Sequence, residues 1–269
     1  MSHVISNDGT TITYERSGNG PALILIDGAL CSRAFGPTAK LGALLAEEFT
    51  VYRYDRRGRG ESGDTPPYSP AREVDDLAAL IAHAGGTASL LGLSSGGALA
   101  LEAAASGLGV DKVIAYEPRY VDEDSPGGPV VAAKGSPTHE AQLQRLVESG
   151  NRGGAVDYFM RDMVGAPAFL PVMMRLMPWV WRKLKAVAHT LPYDAAVMTG
   201  FRVPRTRFSS IRRPVLALNG TRTDPRLKAA VRVIANTVPG AQHAELAKQT
   251  HNVDPRVLVE GSMKFLAGA

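Results

Sequence analysis

Apolar positions along the chain recur with two periods, two residues and three to four, and the two take turns. Thr10 to Arg16 alternates around Ile12 and Tyr14, as a half-exposed strand does. Ala22 to Ile26 is a continuous apolar run suited to a sheet interior covered on both faces, and Asp27-Gly28 ends it. Leu41, Leu44 and Leu45 fall at helical spacing, and Thr50 to Tyr54 reads as another strand leading into Asp55-Arg56-Arg57-Gly58-Arg59-Gly60. Ser69-Pro70 opens a helix whose face carries Val74, Leu77, Ala78 and Ile81, and Gly85-Gly86 stops it. Ala88 to Leu93 is a short buried strand, Ser95 to Ser106 a helix of small residues, and Lys112 to Tyr116 the next strand. After a long interruption, Pro214 to Asn219 returns to strand, Arg226 to Ala235 to helix, Ala241 to Ala247 to strand and Pro255 to Leu266 to a final helix.

Strands interleaved with helices in this regular way imply right-handed crossovers and a mostly parallel sheet flanked by helices, the α/β class. Reactive groups of such a sheet gather in loops at the C-terminal ends of the strands. The interruption, residues 119–210, is broken by Gly and Pro and carries helical pieces rich in methionine and tryptophan, so it is expected to be an inserted helical cap on a core of 1–118 and 211–269. Met173, Met177 and Trp179 are expected to line an apolar substrate pocket there, because methionine adapts its shape and tryptophan offers area with one donor.

A length of 269 residues fits one domain with a modest insertion, and 45% apolar with 21% charged residues excludes a disordered or fibrous chain. The N-terminus lacks a basic segment followed by an apolar one, and no run approaches about eighteen apolar residues, which predicts a cytoplasmic protein without a membrane partner. Cys31 is the sole cysteine, so it reads as a small buried filler, with no internal disulfide and no cysteine-based metal cluster. The net charge of +4 is dispersed. Its two local groups, Arg56, Arg57 and Arg59, and Arg202, Arg205, Arg207, Arg212 and Arg213, are expected in solvated loops, which argues against a nucleic-acid partner. Nothing in the composition distinguishes a monomer from a homodimer.

Chemistry enters at Gly92-Leu93-Ser94-Ser95-Gly96, a G-x-S-x-G directly after a predicted strand and before a predicted helix. A sharp turn presents such a serine in a strained conformation and leaves no room for side chains two positions to either side, so Ser94 is the candidate nucleophile; Ser95 fails the test because Leu93 lies two before it. A serine hydroxyl needs a base, and His251 in Gln249-Thr250-His251-Asn252 occupies the loop after the last strand, whereas His243 lies inside that strand. The third group must hold the imidazole's tautomer, and two carboxylates at strand ends qualify. Asp224 follows strand 214–219 but also reads as a helix N-cap before Pro225; Glu117, which Pro118 is expected to keep extended, is preferred. The developing oxyanion is expected to be held by the backbone N–H groups of Ser95 and Ala29, with Gly28 allowing the close approach. No metal or organic cofactor is required.

With the Gly28 turn, the Asp55-to-Ser62 loop, the Ser94 elbow and His251, the chain resembles the α/β-hydrolase superfamily over nearly its whole length. The resemblance implies an eight-stranded, mostly parallel sheet and esterase or lactonase chemistry. Many members carry His-Gly where this chain has Asp27-Gly28, and the departure looks like that of zearalenone-type lactonases, which pair Asp-Gly there with Ser-Ser-Gly at the elbow and a glutamate after the next strand, matched here by Glu117. Asp27, beside an oxyanion donor, is expected to turn away and bond backbone. Three classes of function follow: an ester or lactone hydrolase of a small apolar molecule, a cofactor-free C–C bond hydrolase using the same triad, and a catalytically silent small-molecule binder.

Overall fold

A computed structural model describes residues 2–120, 138–167 and 169–268. One eight-stranded sheet contains β1 (Ser2–Ile5), β2 (Thr11–Ser17), β3 (Ala22–Ile26), β4 (Thr50–Tyr54), β5 (Ala88–Leu93), β6 (Val110–Tyr116), β7 (Val215–Gly220) and β8 (Gln242–Leu246) in the order β1-β2-β4-β3-β5-β6-β7-β8. From β4 through β8 every neighbouring pair is parallel, while β1 pairs antiparallel with β2 and β2 with β4. This is the α/β-hydrolase fold.

The eighth strand, β1, escapes a hydropathy reading because it hangs on the sheet's edge through β2 alone and none of its four residues is buried. Its backbone pairing, not an apolar face, makes it a strand.

Alternate residues of β3 show why the run is apolar throughout. Ile24 and Ile26 join one core cluster with Leu77 and Leu80, whereas Leu23 and Leu25 join another with Leu41, Leu45 and Leu258. The first face is covered by α2 (Pro70–His83) and α3 (Ser95–Ala105) and the second by α1 (Thr38–Leu45), with both faces therefore dry. Between β6 and β7 the described residues are helical: α4 (His139–Glu148), α5 (Arg152–Tyr158), α6 (Phe169–Arg175), α7 (Pro178–Val187), α8 (Leu191–Val197) and α9 (Arg205–Phe208). Residues 121–137 and 168 of the expected 119–210 insertion lie outside the described residues. Leu143, Phe159, Val180, Leu184 and Leu191 from these helices form a third apolar cluster, which also takes in Leu30 of the loop after β3. The chain closes with α10 (Pro225–Thr237) over the first face and α11 (Pro255–Ala267) over the second. Among the described residues, no helix is long and apolar enough to cross a membrane.

The arginines after β4 correct the sequence reading. Arg56, Arg57 and Arg59 are not solvated but about 1% exposed, each facing carboxylates: Arg56 with Glu73 and Asp194, Arg57 with Asp8 and Asp76, Arg59 with Asp194. A guanidinium leaves water only when a fixed counter-charge and hydrogen bonds replace it, and here they do. Arg202, Arg205, Arg207, Arg212 and Arg213 are exposed, as expected, although Arg205 and Arg207 stand on α9 and not in a loop.

Candidate active site

The backbone at Ser94 has φ 53° and ψ −123°, a conformation that L-residues avoid, at the turn from β5 into α3. The flanking glycines are required: a Cβ at Gly92 would lie 2.2 Å from the Gly96 carbonyl oxygen, and one at Gly96 would lie 2.3 Å from the Ile26 carbonyl oxygen. Three backbones therefore meet at the elbow, and Ser94, held by its N–H donating to the Tyr116 carbonyl at 2.9 Å, is left partly exposed at the strand's C-terminal end.

Across β6, Glu117 follows at the next strand end. Its N–H donates to the Leu218 carbonyl at 2.9 Å and its carboxylate is fully buried. The carboxylate's Oε1 accepts from the Gly220 N–H at 2.8 Å and from the Thr223 hydroxyl, while Oε2 faces His251 Nδ1 at 2.8 Å. Burial works against the charge, but the hydrogen bonds from His251, Gly220 and Thr223 outweigh it and hold the carboxyl below its ordinary range. The loop bearing His251 is fixed from both sides: the Tyr116 hydroxyl donates to the Thr250 carbonyl, and Gly220 lies so close that a Cβ there would be 2.2 Å from the Gln249 carbonyl oxygen. His243, by contrast, is tied within the sheet to Asn219 at 2.7 Å.

One expectation about the acids needs correction. Glu117 is not extended before Pro118; its φ is +45°, and the turned backbone is what points a strand-end carboxylate toward the 249–251 loop instead of along the strand. Asp224 is away from the imidazole's partner position: it caps α10 through the Arg226 N–H at 2.8 Å and pairs with the Arg226 guanidinium, also at 2.8 Å. Thr223, which the sequence reading passed over, is the group beside it that reaches Glu117.

On the other side of the elbow, Gly28 backs against Ser94, where a Cβ would come within 3.1 Å of the Ser94 Cβ. Ala29 follows, partly buried against the third apolar cluster, and Leu30 takes φ 61°. Ser95 is fully buried at the start of α3, its hydroxyl donating to Asp194 at 2.7 Å. Asp27 is turned away toward Thr38: Oδ2 accepts from the Thr38 hydroxyl at 2.6 Å, with a backbone hydrogen bond from Thr38 also acting on the carboxyl. Burial drives its carboxyl up to about 6 against the opposing Thr38 hydrogen bond.

The raised Asp27 value has a sign that can be read in stability. Between the ordinary carboxylate range and about 6 the folded chain holds more protons at this site than the unfolded chain, so folding loses stability as pH rises through that window. Asp27→Asn removes the ionisation and is expected to gain on the wild type from pH 4 to pH 7, by up to about 3 kcal/mol, in urea unfolding midpoints taken across that range. A difference that stays flat with pH would show that Asp27 titrates as it does in water.

The residues expected to line a pocket separate. Met177 packs against the third cluster with Met174 and Trp181, but Met173 is 45% and Trp179 57% exposed on the outer side of α6 and α7, next to Phe169, Val172 and Leu176. Short helices offset by Pro171 and Pro178 bury one face only, and these two side chains fall on the other.

Asp194 goes unmarked in the sequence, and Arg56 and Arg59, its partners, stand there as solvated residues. One signal was legible: Glu73 and Asp76 stand three apart on the apolar stripe of Val74, Leu77 and Leu80, and carboxylates on a buried helix face require cations. No local pattern marks Asp194.

The model of the alpha/beta hydrolase family matches residues 21–261. Among curated proteins none matches. The chain is similar to the crystal structure of an alpha/beta hydrolase from Sphaerobacter thermophilus at 44% identity and TM-score 0.89, covering 98% of this chain and 100% of that one. It is similar in fold to a thermophilic esterase from Thermogutta terrifontis at 21% identity and TM-score 0.72, covering 99% of this chain and 98% of that one. It is likewise similar in fold to the 2-hydroxy-6-oxo-6-phenylhexa-2,4-dienoate hydrolase of a Rhodococcus species, at 17% identity and TM-score 0.70, covering 100% and 99%.

Proposed function

The chain belongs to the alpha/beta hydrolase family, and from that premise we propose that it is a serine hydrolase cleaving a carboxylic ester or lactone of a small apolar molecule through an acyl-enzyme on Ser94. The observation that carries this reading is the 2.8 Å contact of His251 Nδ1 with the buried Glu117 carboxylate, at the same strand ends that expose Ser94. With Nδ1–H donated to Glu117, the imidazole's Nε2 is the free lone pair, which is the atom a general base uses.

The steps follow from that tautomer. Nε2 takes the Ser94 proton as Oγ forms its bond to the substrate carbonyl carbon, and the Ala29 and Ser95 N–H groups receive the oxyanion. Collapse breaks the ester C–O bond, and the imidazolium returns its proton to the departing alkoxide. Water, deprotonated by Nε2, then attacks the acyl-enzyme and releases the acid with Ser94 restored. In this reading the helices described within 119–210 act as a cap over the core of 1–118 and 211–269, and their apolar cluster, into which Leu30 packs beside Ala29, favours an apolar substrate.

A fluorophosphonate probe tests the reading together with a panel of aryl esters and lactones, run against Ser94→Ala as the blank. Expected are stoichiometric labelling of wild type and a burst of alcohol product equal to the enzyme concentration. No labelling and no turnover would leave a binding protein. Cleavage of a vinylogous diketone with every ester ignored would select carbon–carbon bond hydrolysis instead.

A further inference from the structure

Asp194 lies on α8, within the helical segment between β6 and β7, yet its carboxylate is completely buried and ends beneath the elbow. It gathers three donors. Oδ1 accepts from Arg56 Nη1 at 2.8 Å, from Arg59 Nη2 at 2.8 Å and from the Ser95 hydroxyl at 2.7 Å, and Oδ2 accepts from Arg59 Nη2 at 2.9 Å. Both arginines also reach backbone beside Ser94. Arg59 Nη1 donates to the Gly28 carbonyl at 2.7 Å, and Arg56 Nη1 donates to the Asp27 carbonyl at 3.3 Å and the Ser95 hydroxyl at 3.1 Å. Glu73 holds Arg56 from its far side by two contacts of 2.7 Å.

The Gly28 carbonyl and the Ala29 N–H are the two ends of one peptide plane. In a trans peptide they point in opposite directions, so a guanidinium fixed on the carbonyl fixes where the N–H is aimed. A charge-assisted hydrogen bond at the oxygen also polarises the unit and makes the N–H a stronger donor. The second N–H of the pair, that of Ser95, belongs to the residue whose hydroxyl Asp194 holds. Burial opposes the charge on Asp194, but Arg59 and Arg56 outweigh it and keep its carboxyl below the ordinary range, so the anchor stays ionised.

We propose that Asp194 is a positioning residue for the oxyanion hole: through Arg59, Arg56 and the Ser95 hydroxyl it fixes the Gly28–Ala29 peptide and Ser95 in one arrangement, which depends on α8 being seated. The proposal rests on the serine-hydrolase reading for its kinetic consequence, though not for its structural one. Two Arg and two carboxylates balance in charge, so the cluster is neutral as a whole and its asymmetry lies only in which backbone oxygens the arginines also hold.

Asp194→Asn keeps the shape and removes the charge. In steady-state hydrolysis of an aryl ester, kcat per fluorophosphonate-titrated site is expected to fall by roughly 10- to 100-fold, with KM within about twofold, because a misaimed donor costs part of what a deleted one does. Affinity for a trifluoromethyl ketone, whose adduct with Ser94 carries the oxyanion, is expected to fall by the same factor as kcat. Native-state hydrogen exchange at the Ala29 and Ser95 amides is expected to quicken about tenfold while the β5 amides hold. If the buried Arg59 left unpaired prevents folding, the double variant Arg59→Met with Asp194→Asn keeps Arg56 balanced by Glu73 and is expected to show the same losses. A kcat per titrated site equal to wild type, with activity lost only through fewer competent molecules, would overturn the proposal. Should wild type neither label nor turn over, the hydrolase reading fails by itself, and the exchange comparison then decides alone: unaltered Ala29 and Ser95 amides overturn the positioning role.

Discussion

Ester turnover by Ser94→Ala is expected to fall about 10⁶-fold, with the fold intact. The alanine removes the oxygen proposed to form the acyl bond, and it does so without a cavity or an unpaired charge, because Ser94 is partly exposed at the strand end. Its methyl group fits the turn as the serine does, since the clash that the turn must avoid is at Gly92 and Gly96, not at the residue between them. The residual rate is the part supplied by binding and the oxyanion hole, which in such enzymes stays some 10³ to 10⁴ above water. Steady-state kinetics, with fluorophosphonate labelling abolished and far-UV dichroism unchanged, check it. Retention of more than about a hundredth of the wild-type kcat would put the nucleophile elsewhere.

Glu117→Gln carries the second largest effect, a loss of about 10³ to 10⁴ in kcat with little change in KM. The carboxylate has divided roles: Oε1 is taken by the Gly220 N–H and the Thr223 hydroxyl, and Oε2 faces His251 Nδ1. In glutamine the carbonyl oxygen satisfies the first two donors, so the NH₂ is forced toward the imidazole. Nδ1 must then accept, the proton moves to Nε2, and the atom that should receive the Ser94 proton already carries one. Asp224→Asn is the control, because Asp224 caps α10 and pairs with Arg226. That change is expected to leave kcat within about twofold and to reduce stability by about 1 kcal/mol or less, since asparagine also caps. An Asp224→Asn variant as inactive as Glu117→Gln would reassign the acid.

The places of Ser94 after β5 and of His251 after β8 were legible because the signals that set them are local. A glycine two residues either side of a serine reports a steric limit, and a histidine following the last apolar run reports chain order; neither depends on what lies across the molecule. Glu117 was legible to the same degree and for the same reason, as a carboxylate ending a strand, but its backbone was not. The positive φ goes with hydrogen bonds to Leu218, Gly220 and Thr223, all more than a hundred residues away. Met173 and Trp179 mark the opposite failure: composition named a plausible lining, and which face of a short helix turns inward is decided by the helices it meets.

Taken by itself, the sequence determined the succession of the core strands and helices apart from β1, and therefore the edge of the sheet at which Ser94, Glu117 and the His251 loop lie, since periodicity and glycine sterics act over a few residues. Charge pairing was settled only in three dimensions. Asp194 stands 138 residues from Arg56 and 135 from Arg59, and a solvated arginine and a buried one are spelled alike until a carboxylate arrives beside it. Coulomb attraction in a dry interior is strong but names no partner in advance, so only the folded chain could show that all three apparent surface arginines are buried and that two of them, Arg56 and Arg59, hold the backbone under the candidate nucleophile.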